Sequence, residues 1–255
     1  MEDGPVLFVF AHQDDEFVYL GMLRNLFERE REIHVVWITD GAHFVPAEVR
    51  RAESTAVMRM VGLGEDRLSF WPYPDGTSIR FAPEIVERLA QTMEEARPSE
   101  VYTVAFEGGH PDHDMANFAS VTAARRLDPS LPVYEAPLYN RHRGRLWTIN
   151  RFIPAETETL YVPLSRDDIL FKLRALFKYR SQFWIAVPPT LLFTNKKETM
   201  TRGEPYRRVP AWNYRQPPHG GKLIYEGFLL RRILGIVFKD FREAVSGVLD
   251  PVDRA

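Results

Sequence analysis

The chain has 255 residues, 45% of them hydrophobic, enough to bury a sizeable core, and its 33 basic and 35 acidic side chains nearly cancel to a formal charge of −2. No global field therefore recruits nucleic acid or an anionic membrane surface. Cysteine is absent, which excludes disulfides, thiolate metal sites and thiol nucleophiles and leaves histidine and carboxylate as the metal ligands on offer.

Residues 6–11, VLFVFA, form a continuous apolar run suited to a central strand covered on both faces. The segment before it carries acid rather than lysine or arginine, and the run is short for a signal peptide, so a cytoplasmic chain is expected. Residues 17–31 follow with helical spacing through Leu20, Leu23, Leu26 and Phe27, and residues 33–39, IHVVWIT, read as a second strand. This is a βαβ unit. The alternation continues with a helix over 46–61 ended near Gly62 and Gly64, a short strand over 68–71, and the loop WPYPDG. A helix over 83–96 has Pro83 in its first turn, a strand spans 100–106, and after the loop EGGHPDHD a helix over 116–127 leads to a strand over 132–136. Strands alternating with helices predict a parallel sheet with helical cover.

Beyond residue 140 the pattern loosens into proline-rich and polar stretches, with one clear helix over 165–183 capped by SRDD. Without a Ser/Gly linker, repeat or low-complexity segment, residues 1–255 read as a single domain, a core over 1–140 with a C-terminal elaboration over 141–255. Residues 204–222, EPYRRVPAWNYRQPPHGGK, suit either a packed surface loop or a lid over a large glycan. In residues 227–241, GFLLRRILGIVFKDF, Arg231 and Arg232 interrupt the apolar run well short of the ~20 residues a membrane span needs. A C-terminal helix docking its apolar face on the core is expected there, with peripheral membrane contact or a partner surface as the alternative. Oligomeric state is left open.

Two loops concentrate chemistry: HQDDE after the first strand and HPDHD after the fourth. In an open α/β sheet ligands bind at the carboxyl ends of the strands where strand order reverses, and an order 3-2-1-4-5 brings the two loops face to face there. That topology gathers His12, Asp14, Asp15, His110, Asp112 and His113. Two histidines and a carboxylate suit a divalent cation with positions open to water, Zn2+ first and Fe2+ second. Such an ion makes hydroxide available near neutral pH, so a hydrolase is expected rather than a structural site.

AHQDDE and HPDHD resemble the paired motifs AHPDDE and HPDH of the LmbE/PIG-L-like metal-dependent N-acetylglucosaminyl deacetylases, in the same order and each after a predicted strand. ITDGA at 38–42, RRAE at 50–53 and PDG at 74–76 are weaker points of similarity, and the likeness is firm over about residues 5–140. The resemblance implies a Rossmann-like three-layer α/β sandwich with a mainly parallel sheet, and one zinc ion per chain. It further implies that His12, Asp15 and His113 bind the metal, that Asp14 is the general base, and that His110, if protonated, stabilises the oxyanion. Asp112 becomes a partner that orients a histidine. Return of the proton to the departing amine is open to either Asp14 or His110.

By the same resemblance Arg50 or Arg51, with Asp75, would bind the N-acetylated sugar or glycoconjugate substrate, the tandem arginines leaving the alignment uncertain by one. His43 is a candidate at the same mouth, and His142 and His219 are weaker ones. Glu16 reads as a first-turn acid favourable to the helix dipole or as a residue that orients a ligand. Gln13 departs from the motif's usual proline; its amide would hydrogen-bond the ligand loop or the substrate. Two other functions compete. A Rossmann-like sugar- or nucleotide-binding module lacks the GxGxxG turn and would set aspartates against a pyrophosphate. A single-metal hydrolase of another amide or ester keeps the same metal chemistry.

Overall fold

The computed structural model describes residues 4–144, 147–183 and 201–250. Strand β1 (Val6–Phe10) is wholly apolar and wholly buried, as its sequence requires for a strand with helices on both faces. It pairs in parallel with β2 (Ile33–Thr39) on one side and β4 (Glu100–Val104) on the other. β3 (Leu68–Tyr73) and β5 (Val133–Ala136) add in parallel outside these, so the expected order 3-2-1-4-5 is observed. Helix α1 (Leu20–Glu28) packs with α2 (Ala47–Val61), and α3 (Ala82–Ala96) packs with α4 (Pro111–Leu127), completing a three-layer α/β fold.

The sheet does not stop at β5. After the small hairpin of β6 (Tyr139–Asn140) and β7 (Thr148–Ile149), β8 (Leu160–Val162) and β9 (Glu204–Arg208) extend the edge antiparallel, giving the order β3-β2-β1-β4-β5-β9-β8. Of the stretch 204–222, read as a packed surface loop or a lid, residues 204–208 are instead a sheet strand. Its Glu204 and Arg207 are buried, while Arg208 is exposed. Arg207 lies opposite Glu135 of β5, and the two form a buried ion pair at 2.8 Å, with Asn117 donating to the other Glu135 oxygen at 2.9 Å. Glu204 accepts from Gly21 N and Met22 N at 2.8 and 2.9 Å and from Lys172, capping α1, which has no side-chain cap of its own.

Three further expectations are adjusted. α4 starts at Pro111 rather than near 116, with proline at its first position, so most of HPDHD is helix. The helix expected over 165–183 is α5 (Arg166–Leu176), whose Ser165 and Asp168 form the predicted capping box. The C-terminal helix divides at Gly235, whose φ of 67° ends α6 (Phe228–Leu234) before α7 (Phe238–Leu249) begins. α7 buries Phe238, Phe241, Val245 and Val248 at helical spacing, whereas α6 leaves Phe228 83% and Leu229 66% exposed. Among the described residues no helix is long and apolar enough to cross a membrane.

Candidate active site

The HQDDE loop leaves the carboxyl end of β1 and the PDHD turn opens α4 after β4, so the two flank the point where the sheet order reverses. Across this gap His12 Nδ1 and His113 Nε2 lie 3.1 Å apart, and Asp15 approaches the first at 3.7 Å and the second at 3.2 Å. Donor atoms bonded at 2.0–2.1 Å to a tetrahedral zinc stand roughly 3.3 Å from one another, so these spacings fit such an ion. All three side chains are buried.

The chemistry of His12 adds to the fit. Its Nε2 faces Asp112 at 3.1 Å and Asp75 at 3.1 Å, so the ring N–H is donated to carboxylates on that side and the Nδ1 lone pair is directed at His113 and Asp15. Asp112 is itself fixed by Gly76 N at 2.6 Å and by the backbone N–H and hydroxyl of Ser78 at 3.0 and 2.6 Å. Burial works to lower the His12 pKa, but Asp75, Asp112 and Asp15 together raise it well above the ordinary value. Burial likewise works to raise Asp15, yet the imidazoles of His113 and His12 hold it down to about 2. A site this ready to hold positive charge suits a cation. Among the described residues a second group, His12, Asp75, His110 and Asp112, is also close enough to share one, but it uses the His12 nitrogen whose proton Asp112 takes up.

Asp14 sits between these groups in an unusual backbone conformation, φ 118° and ψ −18°, which non-glycine residues rarely adopt. Its carboxylate accepts from Arg50 Nη2 at 3.1 Å, and burial raises its pKa even though Arg50 opposes the shift. Its backbone N–H donates to Glu16 at 2.9 Å. Glu16 is fully buried and also accepts from Trp37 Nε1 and the Tyr179 hydroxyl, each at 2.9 Å. The dipole role for Glu16 therefore gives way to a clamp on the Asp14 backbone.

His110 caps α4: its Nδ1 accepts from Asp112 N at 3.3 Å, which leaves the proton of a neutral ring on Nε2. Burial and then the charge of His12 push its pKa down to about 3, so in this arrangement His110 is a neutral N–H donor. The tandem arginines separate because neighbouring helical positions point in different directions. Arg50 is buried beside Asp14, with Nε and Nη1 lacking partners among the described residues; exposed Arg51 lies over the Phe70 ring and is turned away. Asp75 is engaged with His12 rather than presented alone to a sugar. Exposed His43 packs against Phe44 near Gly76 at the mouth. Gln13 is buried and donates to Thr39 O at 2.8 Å, so its amide ties the loop to β2.

Residues missed by sequence reasoning include Trp37, Tyr179 and Tyr139, the last with its ring edge-on to His113 at 5.4 Å. None carries a local signal, since each reaches the site through tertiary packing.

An open α/β sheet with a histidine and carboxylate cluster at its switch point has the architecture of a single-metal hydrolase. Residues 7–124 match the family model described as PIG-L, GlcNAc-PI de-N-acetylase. Over that stretch, which carries both motifs, the chain is similar to the LmbE/PIG-L-like family of metal-dependent N-deacetylases. No curated protein matches it in sequence. Among solved structures, a deacetylase of teicoplanin biosynthesis superposes with a TM-score of 0.63 at 13% identity, covering 80% of this chain and 97% of that one. N,N'-diacetylchitobiose deacetylase from Pyrococcus horikoshii gives 0.59 at 21%, covering 81% and 84%. GalB, the 4-carboxy-2-hydroxymuconate hydratase from Pseudomonas putida, gives 0.53 at 16%, covering 82% and 97%. At these identities the likeness to the solved structures is one of fold.

Proposed function

We propose that the protein is a zinc-dependent hydrolase that removes the N-acetyl group from an N-acetylglucosamine-type sugar or glycoconjugate. The observation that carries this reading is the convergence of His12 Nδ1, His113 Nε2 and the Asp15 carboxylate at ligand spacing, with Asp14 alongside and outside the set. The similarity to de-N-acetylases over residues 7–124, and a fold shared with two deacetylases, support the choice of an N-acetyl bond. When bound by these three residues, one zinc or ferrous ion would lower the pKa of water and polarise the amide carbonyl.

The chain's own residues supply the remaining steps. Asp14, with its pKa raised by burial, is the base that takes a proton from the attacking water. Having taken it, Asp14 is also the group able to return a proton to the departing amine, a step that His110 cannot serve while neutral at working pH. His110 directs its Nε2–H to the oxygen on which negative charge develops, where a preorganised donor acts on the transition state. Arg50 keeps Asp14 in place through Nη2, its Nε and Nη1 lacking partners among the described residues. Asp112 holds His12 in the tautomer that ligates.

The test is acetate release from a panel of N-acetylated sugars, glycolipids and glycopeptides, with metal analysis of the same sample. Release that a chelator abolishes and zinc or ferrous iron restores, at one ion per chain, is the expected result. A protein loaded with one ion that releases no acetate from any member would overturn the substrate assignment; a protein that binds no divalent ion would overturn the mechanism.

A further inference from the structure

We infer that Tyr139 and Trp147 form an aromatic platform beside the metal-ligand cluster that receives the pyranose ring of the substrate. The inference rests on the proposed function and names how that site selects a sugar. Trp147 stacks on Tyr139 with ring centroids 5.7 Å apart and planes 16° from parallel, and Tyr139 meets His113 edge-on at 5.4 Å. The rings therefore run outward in sequence from a ligand histidine to the partly exposed indole.

The platform is built into the site. Glu107, at the start of the loop that leads to His110, accepts from Leu138 N at 2.6 Å, from Tyr139 N at 2.7 Å and from Asn140 Nδ2 at 2.8 Å. A Cβ on Gly109 would fall 2.3 Å from the Tyr139 carbonyl oxygen and 2.9 Å from its ring, so only glycine at 109 lets Tyr139 sit so close to the motif. The β6–β7 hairpin, which pairs Tyr139 with Ile149, keeps Trp147 next to that ring.

Two features set this pair apart from ordinary core packing. Both residues are only partly buried, so ring surface stays open beside the cluster. Burial first, and then the negative charges of Asp15 and Asp14, raise the Tyr139 phenol, which places that ring within the field of the catalytic carboxylates. A pyranose has a flat, C–H-bearing face that packs on an aromatic surface while its rim hydroxyls hydrogen-bond, and ligand sites commonly pair aromatic walls with a few placed polar groups. An acyclic N-acetyl amine offers no such face.

The experiment compares zinc-loaded wild type with Trp147→Ala, Trp147→Phe and Tyr139→Phe on an N-acetylglucosaminide and on N-acetylethanolamine. Trp147→Ala is expected to raise KM for the sugar about tenfold, the effect of losing ~1.4 kcal/mol of stacking. The kcat, the zinc content and turnover of N-acetylethanolamine stay at wild-type values, and Trp147→Phe restores most of the KM. Tyr139→Phe, which keeps the ring, gives a smaller rise confined to the sugar. An unchanged sugar KM in Trp147→Ala, or an equal loss on both substrates, overturns the platform. Calorimetry of N-acetylglucosamine binding to zinc-loaded Asp14→Asn, with and without Trp147→Ala, separates the two proposals. Trp147-dependent binding together with no acetate release by the zinc-loaded wild type would uphold the platform and sink the deacetylase assignment. Acetate release with Trp147-independent binding would do the reverse, and absence of sugar binding would sink the platform.

Discussion

The two motifs that meet at the site are held in opposite ways. Asp112 and His113 lie on the first turn of α4, where Pro111 starts the helix, His110 caps it, and regular backbone geometry aims both side chains. Asp14 and Asp15 lie where the chain enters a single 3-10 turn, and Asp14 carries a backbone conformation that costs of the order of 1–3 kcal/mol. Its restraint comes from elsewhere: Glu16 grips the Asp14 N–H and is gripped in turn by Trp37, 21 residues away, and by Tyr179, 163 residues away. One motif is aimed by regular helix geometry, with Asp112 held further by Gly76 and Ser78, whereas the base of the other is held by a remote clamp on its backbone. Loss of the His12 tautomer and loss of that clamp should therefore have separate consequences.

The largest effect is expected at Asp14 itself. Asp14→Asn should lower kcat by about 10²–10⁴, the usual worth of a positioned base, with one zinc retained per chain by metal analysis. A variant that keeps more than a tenth of the wild-type rate would move the base to another residue and dissolve the contrast. Next comes the helix side. Asp112→Asn loosens His12 and should weaken zinc affinity by about 10–100-fold in a competition titration, while kcat at saturating zinc changes much less. The smallest effect belongs to the remote clamp. Tyr179→Phe removes one of three donors to Glu16, worth ~1 kcal/mol, and should lower kcat about fivefold with zinc affinity unchanged. If Tyr179→Phe instead weakened zinc and left kcat intact, the division between the two halves would be wrong.

The parts of the molecule legible in the sequence are those governed by local rules. VLFVF and IHVVWIT announce buried strands because no polar residue in the first and only one inside the second interrupts them, and their alternation with helices implies parallel pairing. The start of α4 was available but misplaced: Pro111 at the first position with Asp112 and Asp114 in the first turn is a helix start, obscured by treating HPDHD as one loop. Strand β9 was concealed for a different reason. Glu204 and Arg207 make EPYRR look like surface, and only Glu135 and the uncapped α1, both remote in sequence, explain why those charges are inside. Arg50 could not be told from Arg51 until helix phase put one beside Asp14 and the other over Phe70. Glu16 likewise needed Trp37 and Tyr179 in place before its clamp was visible.

The carboxylate of Glu204 at the head of α1 also has a consequence for synthesis. As the chain emerges from the ribosome, β1, α1 and β2 are complete early, but the helix that carries the loop away from the site keeps bare amide groups until residue 204 has been made. A truncation after α4 would contain the whole family-matched segment and both motifs, yet its first helix would lack the anion that closes it. Strand β9 thus brings, late in synthesis, a contact that the head of α1 lacks until then.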